Sequence, residues 1–177
     1  MRALVSAVLA VAAMTLAGGC GQQVSGAPVP SGAAGGGGGA LASVDMCTVF
    51  SDAELQSLGI RLDTREQDDI AGSIGCGWLG EPFTLSLARD VEETVDDFAA
   101  RQQNFVSFHE NEVAGRPGAQ LQVAESGQEC AQVMNAGSGS VLVGVRASSS
   151  RGPQLDWCAE ARRIAEMIAP RVPEAES

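Results

Sequence analysis

Few side chains in this 177-residue chain can do chemistry: five cysteines, one histidine and a cluster of carboxylates, with no tyrosine. Acyl transfer by a serine or cysteine needs a histidine as proton shuttle, and His109 is the only one. It sits in FVSFHENEV, where Val106 and Phe108 face one way and His109 the other, so an exposed strand position explains it as well as a catalytic base does. No G-x-S-x-G elbow presents a nucleophile. The densest acids, Asp63, Glu66, Asp68 and Asp69, are the candidates for a carboxylate hydrolase or for Ca²⁺. They lack the central glycine and closing glutamate of a calcium loop and read as a solvated polar stretch. Gly75-Cys-Gly-Trp-Leu-Gly80 matches G-x-G-x-x-G, but a dinucleotide site needs a helix after those glycines, and Pro82 with an alternating strand follows instead. Metal-binding cysteines usually come in close pairs, and no C-x-x-C occurs. No catalytic set, cofactor or metal is therefore expected.

The cysteines divide by position. MRALVSAVLAVAAMTLAGGC puts Arg2 before an apolar run from Ala3 to Leu16 and small residues before Cys20, the layout of a signal peptide. The run falls short of the roughly 20 residues that a membrane-spanning helix needs. Leu16-Ala17-Gly18-Gly19-Cys20 resembles the lipobox of bacterial lipoproteins, with Ala17 in the slot that leucine usually fills. That resemblance implies cleavage before Cys20 and acylation of its thiol. Each buried acyl CH₂ contributes about 0.8 kcal/mol, so two or three chains would hold the protein on the outer face of the cell membrane. Residues 1–19 read as the signal peptide and 20–43 as an acylated, disordered linker. The linker is uncharged, rich in Gly, Pro and Ser, and carries five consecutive glycines at Gly35 to Gly39; it has too little apolar surface to offset its ordering entropy. The glycine run lacks the Lys-Ser or Lys-Thr of a phosphate loop.

The formal charge of −11 works against sequence-independent nucleic-acid binding, which relies on basic side chains neutralising phosphates. Residues 44–172 are long enough for one core, and 173–177 read as a disordered tail. In an exported chain, Cys47, Cys76, Cys130 and Cys158 point to disulfides. Three pairings are possible. The nearly equal separations within 47/76 and 130/158, each joining a helix start to a strand, favour Cys47 with Cys76 and Cys130 with Cys158.

Local signals place the elements. Ser51 and Glu54 form a capping box for a helix from Asp52 to Leu58. Ile74–Trp78 and Phe83–Leu87 alternate as neighbouring strands, turned at Gly80-Glu81-Pro82. Asp90 and Glu93 repeat the capping pattern before a helix from Val91 to Gln103. Strands follow at Val106–Val113, Ala119–Ala124, Cys130–Met134 and Val141–Val145, with a turn at Gly115–Gly118. Asp156 caps a last helix that Pro170 stops. The order αββαββββα implies an α+β domain, a mainly antiparallel sheet with helices packed on one face. Trp78 and Trp157, beside cysteines, fit core packing; their functional alternative is the wall of an apolar groove between helix and sheet.

The tether with Asp-Met-Cys47, SDAELQSLG at Ser51 to Gly59, GCGW at Gly75 to Trp78, GRPGA at Gly115 to Ala119, Cys130, and WCAEARRIA at Trp157 to Ala165 together resemble the actinobacterial lipoproteins grouped as domain of unknown function 3558. Gly118 is an extra residue relative to that pattern. The resemblance implies a lipid-anchored, extracytoplasmic protein and supplies no catalytic residues. The expectation is a non-enzymatic binding module for a small apolar ligand, a wall component or an exported protein. Its alternatives are an envelope hydrolase using the acids of residues 63–69 or His109, and a structural or assembly partner without a pocket.

Overall fold

The computed structural model describes residues 39–70, 73–149 and 155–176. The signal segment, Cys20 and most of the linker lie outside the described residues. Seven antiparallel strands, Glu66–Ile70 (β1), Ser73–Trp78 (β2), Phe83–Asp90 (β3), Ser107–Val113 (β4), Arg116–Gln122 (β5), Glu129–Ala136 (β6) and Gly139–Ala147 (β7), form one sheet in the order β1-β2-β3-β7-β6-β5-β4. Two hairpin-linked blocks, β1 to β3 and β4 to β7, meet along β3 and β7 in a register running from Phe83 opposite Ala147 to Asp90 opposite Ser140. Among the described residues the α-helices are Asp52–Ser57 (α1), Val95–Ala100 (α2) and Trp157–Ile168 (α3).

Strand alternation gives the sheet two unlike faces. Cys76, Leu87 and Val143 lie side by side on one of them, buried with Leu55 of α1 and Ile164 and Ile168 of α3. Asp156 starts α3 by accepting a bond from the Ala159 N–H at 2.9 Å, and the helix turns Trp157, Ala161, Ile164 and Ile168 inward. Burying a side chain of this size is worth about 1.5–3 kcal/mol. Trp78 and Trp157 belong to this core. The disulfides are Cys47–Cys76 and Cys130–Cys158, as expected from the spacing. They tie the segment before α1 to β2, and β6 to the first turn of α3.

Arg116 is buried at 5% exposure. Its guanidinium donates to the Ala169 and Val172 carbonyls at 2.7 and 3.3 Å and to Pro173. These are carbonyls that the end of α3 leaves without helical partners, and a cation there also complements the helix dipole.

The expected small α+β domain with an antiparallel sheet stands, with five differences. First, α2 packs on the face opposite α1 and α3, because Val95 and Phe98 bury against Ala119, Leu121 and Val133, the out-of-phase residues of β5 and β6. Second, α2 begins at Val95: Asp90 pairs within the sheet and its carboxylate accepts the Glu92 and Glu93 N–H groups in a turn, leaving Thr94 and Asp97 to build the capping box. Third, the acidic stretch is an edge strand, β1, ordered by pairing with β2. Fourth, the ordered domain outruns 44–172 at both ends. Leu41 is fully buried, and the expected tail is bridged to Gly137, whose N–H donates to Glu174 and whose carbonyl accepts from Glu176. The β4–β5 turn is also tighter than its composition suggested. Ala114 and Gly115, both with positive φ, make the two-residue hairpin, while Arg116, Pro117 and Gly118 belong to β5.

Candidate functional site

On the second face the registers align one residue per strand across the whole sheet: Glu66, Gly77, Ser86, Gly144, Ala131, Leu121 and Phe108. The middle four are small, and they alternate along their strands with the large residues of the opposite core. A trench therefore crosses the strands where this face lacks side-chain volume. At Gly144 the close packing is strict, since a Cβ would come within 2.4 Å of the Ser86 hydroxyl oxygen. At Gly77 a Cβ would meet nothing nearer than the Leu85 carbonyl at 4.0 Å, so this part of the floor is open.

The short helix α2 makes one wall. Its start is fixed by the Thr94–Asp97 box; the bonds from the Thr94 N–H and hydroxyl hold the Asp97 carboxyl below its usual range. Phe98 of α2, Phe105 and Phe108 stack in sequence, with ring centroids 6.4 and 6.0 Å apart. The Arg101 guanidinium lies 4.5 Å over the Phe98 ring and is paired with Glu93, which raises its already high pKa. This pairing closes the outside of the wall.

Between α2 and the sheet lies a mostly apolar cavity of about 350 Å³, lined by Phe98, Phe105, Leu121, Ala131, Leu142 and others. A wider, more polar concavity of about 770 Å³ continues over β2 toward β1. The two share Thr84, Leu85, Ser86 and Arg146. Small-ligand sites span roughly 300–1,000 Å³ and are mainly apolar with a few placed polar groups. Two of the exposed large apolar residues sit at the ends of this trench, Val123 at 61% exposure and Leu79 at 52%.

The trench also holds charged groups without partners. Of the nine arginines among the described residues, seven are ion-paired. The other two are Arg89, which faces the helix-covered side beside Ile74, and Arg146 on the trench side. Glu129 stands opposite Arg146 across β6 and β7. Both line the apolar cavity, and neither side chain makes an ion pair or hydrogen bond among the described residues. The hydroxyls beside them are weakly engaged: Thr84 donates to the Arg146 carbonyl at 3.3 Å and Ser86 to the Gly144 carbonyl at 3.4 Å.

The residues singled out in the sequence do not converge. His109 is exposed on β4 and faces the helix-covered side, where it stands opposite Gln120. Asp63, Glu66 and Asp69 lie at or just before β1, the other edge of the sheet. Six strand spacings of about 4.8 Å put these edges roughly 29 Å apart. Asp63 is largely exposed and paired with Arg61 at 3.7 Å. Among the described residues no group of three or more His, Cys, Asp or Glu side chains could hold a metal ion. Gly75–Gly80 is β2 with the turn into β3, which excludes a phosphate cradle at a helix start. The trench residues Thr84, Ser86, Gly144 and Arg146 were not singled out. The available signal was the out-of-phase set of each strand, Thr84 and Ser86 between the buried Phe83, Leu85 and Leu87, and Gly144 and Arg146 around Val145.

A family model described as protein of unknown function (DUF3558) matches residues 15–171. No curated protein and no solved structure matches the chain.

Proposed function

We propose a function on the premise that this chain belongs to the DUF3558 family, whose description assigns none: an exported, lipid-anchored, non-enzymatic module that binds a small apolar ligand in the trench. The observation that carries this reading is the apolar cavity of about 350 Å³ between α2 and a sheet face of small side chains. Such a volume deficit is unusual in a domain whose other face is closely packed, because interiors otherwise fill to crystal-like density. Export and anchoring through Cys20 are supported by the signal-like first residues and by two disulfides, which persist in oxidising compartments. The separation of His109 from the β1 acids weighs against the hydrolase alternative, and the cavity weighs against a partner without a pocket.

The binding half is tested with Nile red, an uncharged dye that brightens in apolar surroundings. The full-length protein should enhance its emission saturably, and Ser86→Leu, which fills the floor shared by both concavities, should abolish this. An unchanged response in the variant ends the trench reading. The anchoring half is tested by labelling cells with radioactive palmitate: the wild-type chain should incorporate it and Cys20→Ala should not.

A further inference from the structure

We infer that the ligand of the trench is a single-chain amphiphile with a zwitterionic head, its anion held by Arg146 and its cation by Glu129; this rests on the trench being the binding site. Tail and head follow from different observations. The tail belongs in the apolar cavity, between Phe98 and Phe105 on one side and Leu142 and Ala131 on the other. Val123, exposed at the cavity's rim, extends that apolar surface outward.

The head follows from the charges. Arg146 and Glu129 are direct cross-strand neighbours, and such neighbours have Cα atoms about 4.5–5.5 Å apart. Both line the apolar cavity and neither side chain has a partner among the described residues, in a domain that pairs seven of its nine described arginines. A purely anionic head would engage Arg146 but bring its charge against Glu129, and a purely cationic head would meet the converse. A head carrying both signs, joined by a two-carbon spacer as in phosphocholine or phosphoethanolamine, satisfies the two residues together. A phosphate beside Arg146 can take the guanidinium fork. It would also lie next to the Thr84 and Ser86 hydroxyls, whose present bonds of 3.3 and 3.4 Å are long enough to give up. The wider concavity, which contains Asp63 and Glu66 near Arg65, would receive no charged group; Arg65 is already paired with Asp52.

Four dodecyl probes, kept below their micellar concentrations, separate the terms by calorimetric titration of the full-length protein: dodecylphosphocholine, dodecyl phosphate, dodecyltrimethylammonium and dodecanol. Dodecylphosphocholine should bind at least tenfold more tightly than the other three. Glu129→Gln should move the preference to dodecyl phosphate, and Arg146→Gln should move it to dodecyltrimethylammonium. Both positions are at the surface, and a merely structural role would not exchange the ranking of ligands. Equal affinity for all four probes would overturn the zwitterion assignment while leaving the apolar site intact. No binding of any probe would remove the site as well.

Discussion

On the helix-covered face the sheet presents Cys76, Leu87 and Val143 beneath α1 and α3; one residue along each strand, the other face presents Gly77, Ser86 and Gly144. The same three strands thus fill one side completely and leave volume free on the other. Among the described residues, the first face has two α-helices and both disulfides, and the second has the six residues of α2 at one end. Packing is divided unequally between the faces and the proposed binding lies on the looser one, so substitutions on the two should differ in kind.

The largest effect belongs to the covered face. Ile164 is fully buried, and Ile164→Ala should destabilise the domain by about 2–5 kcal/mol, read from the midpoint of denaturant unfolding. A loss below 1 kcal/mol would mean that this face is no better packed than the trench. The paired substitution Cys130→Ser with Cys158→Ser should cost about 2–4 kcal/mol by releasing the unfolded chain, measured in the same way.

Gly77→Leu tests the opposite expectation. Its side chain would enter open space, so stability should change by no more than roughly 0.5 kcal/mol in denaturant unfolding, and dodecylphosphocholine affinity should be unchanged because Gly77 lines the wider concavity and not the apolar cavity. A variant that unfolds would show the trench floor to be a packing element.

The smallest effect is electrostatic and again lies at the covered side. Glu54 caps α1 and pairs with Arg171; the Arg171 side-chain bond, followed by those from Ser51, lowers its pKa from 4.5 to about 2. A carboxylate depressed on folding contributes stability that is complete above its unfolded pKa and is lost as pH falls through the folded value. Unfolding midpoints should therefore decline between about pH 4.5 and about pH 2, and Glu54→Gln should flatten that part of the curve. Identical acid profiles would show the pair to be screened by solvent.

The covered face was legible in the sequence because its signals are local. Ser51 with Glu54, Asp156 before Trp157, and the spacing of Ala161, Ile164 and Ile168 each specify structure within a few residues, and four cysteines at matching separations indicated their own pairing. β1 was not legible: EQDDI carries no apolar alternation, and its order comes from β2. The start of α2 was displaced because Asp90, a plausible cap, is claimed by the sheet. The trench was hidden for a further reason. Gly77, Ser86, Gly144 and Ala131 are unremarkable in their own strands and become a floor only through the β3–β7 register, which joins residues nearly sixty positions apart. Arg146 and Glu129 likewise become neighbours only through pairing.

The Cys47–Cys76 crosslink fastens the chain to an inner strand of the sheet soon after residue 39, where the described residues begin. A mechanical load arriving from the N-terminal side can peel only the short stretch carrying Leu41 and Met46 before it reaches a covalent stop. Beyond that stop the pull passes into β2, whose rupture would require neighbouring strands to part.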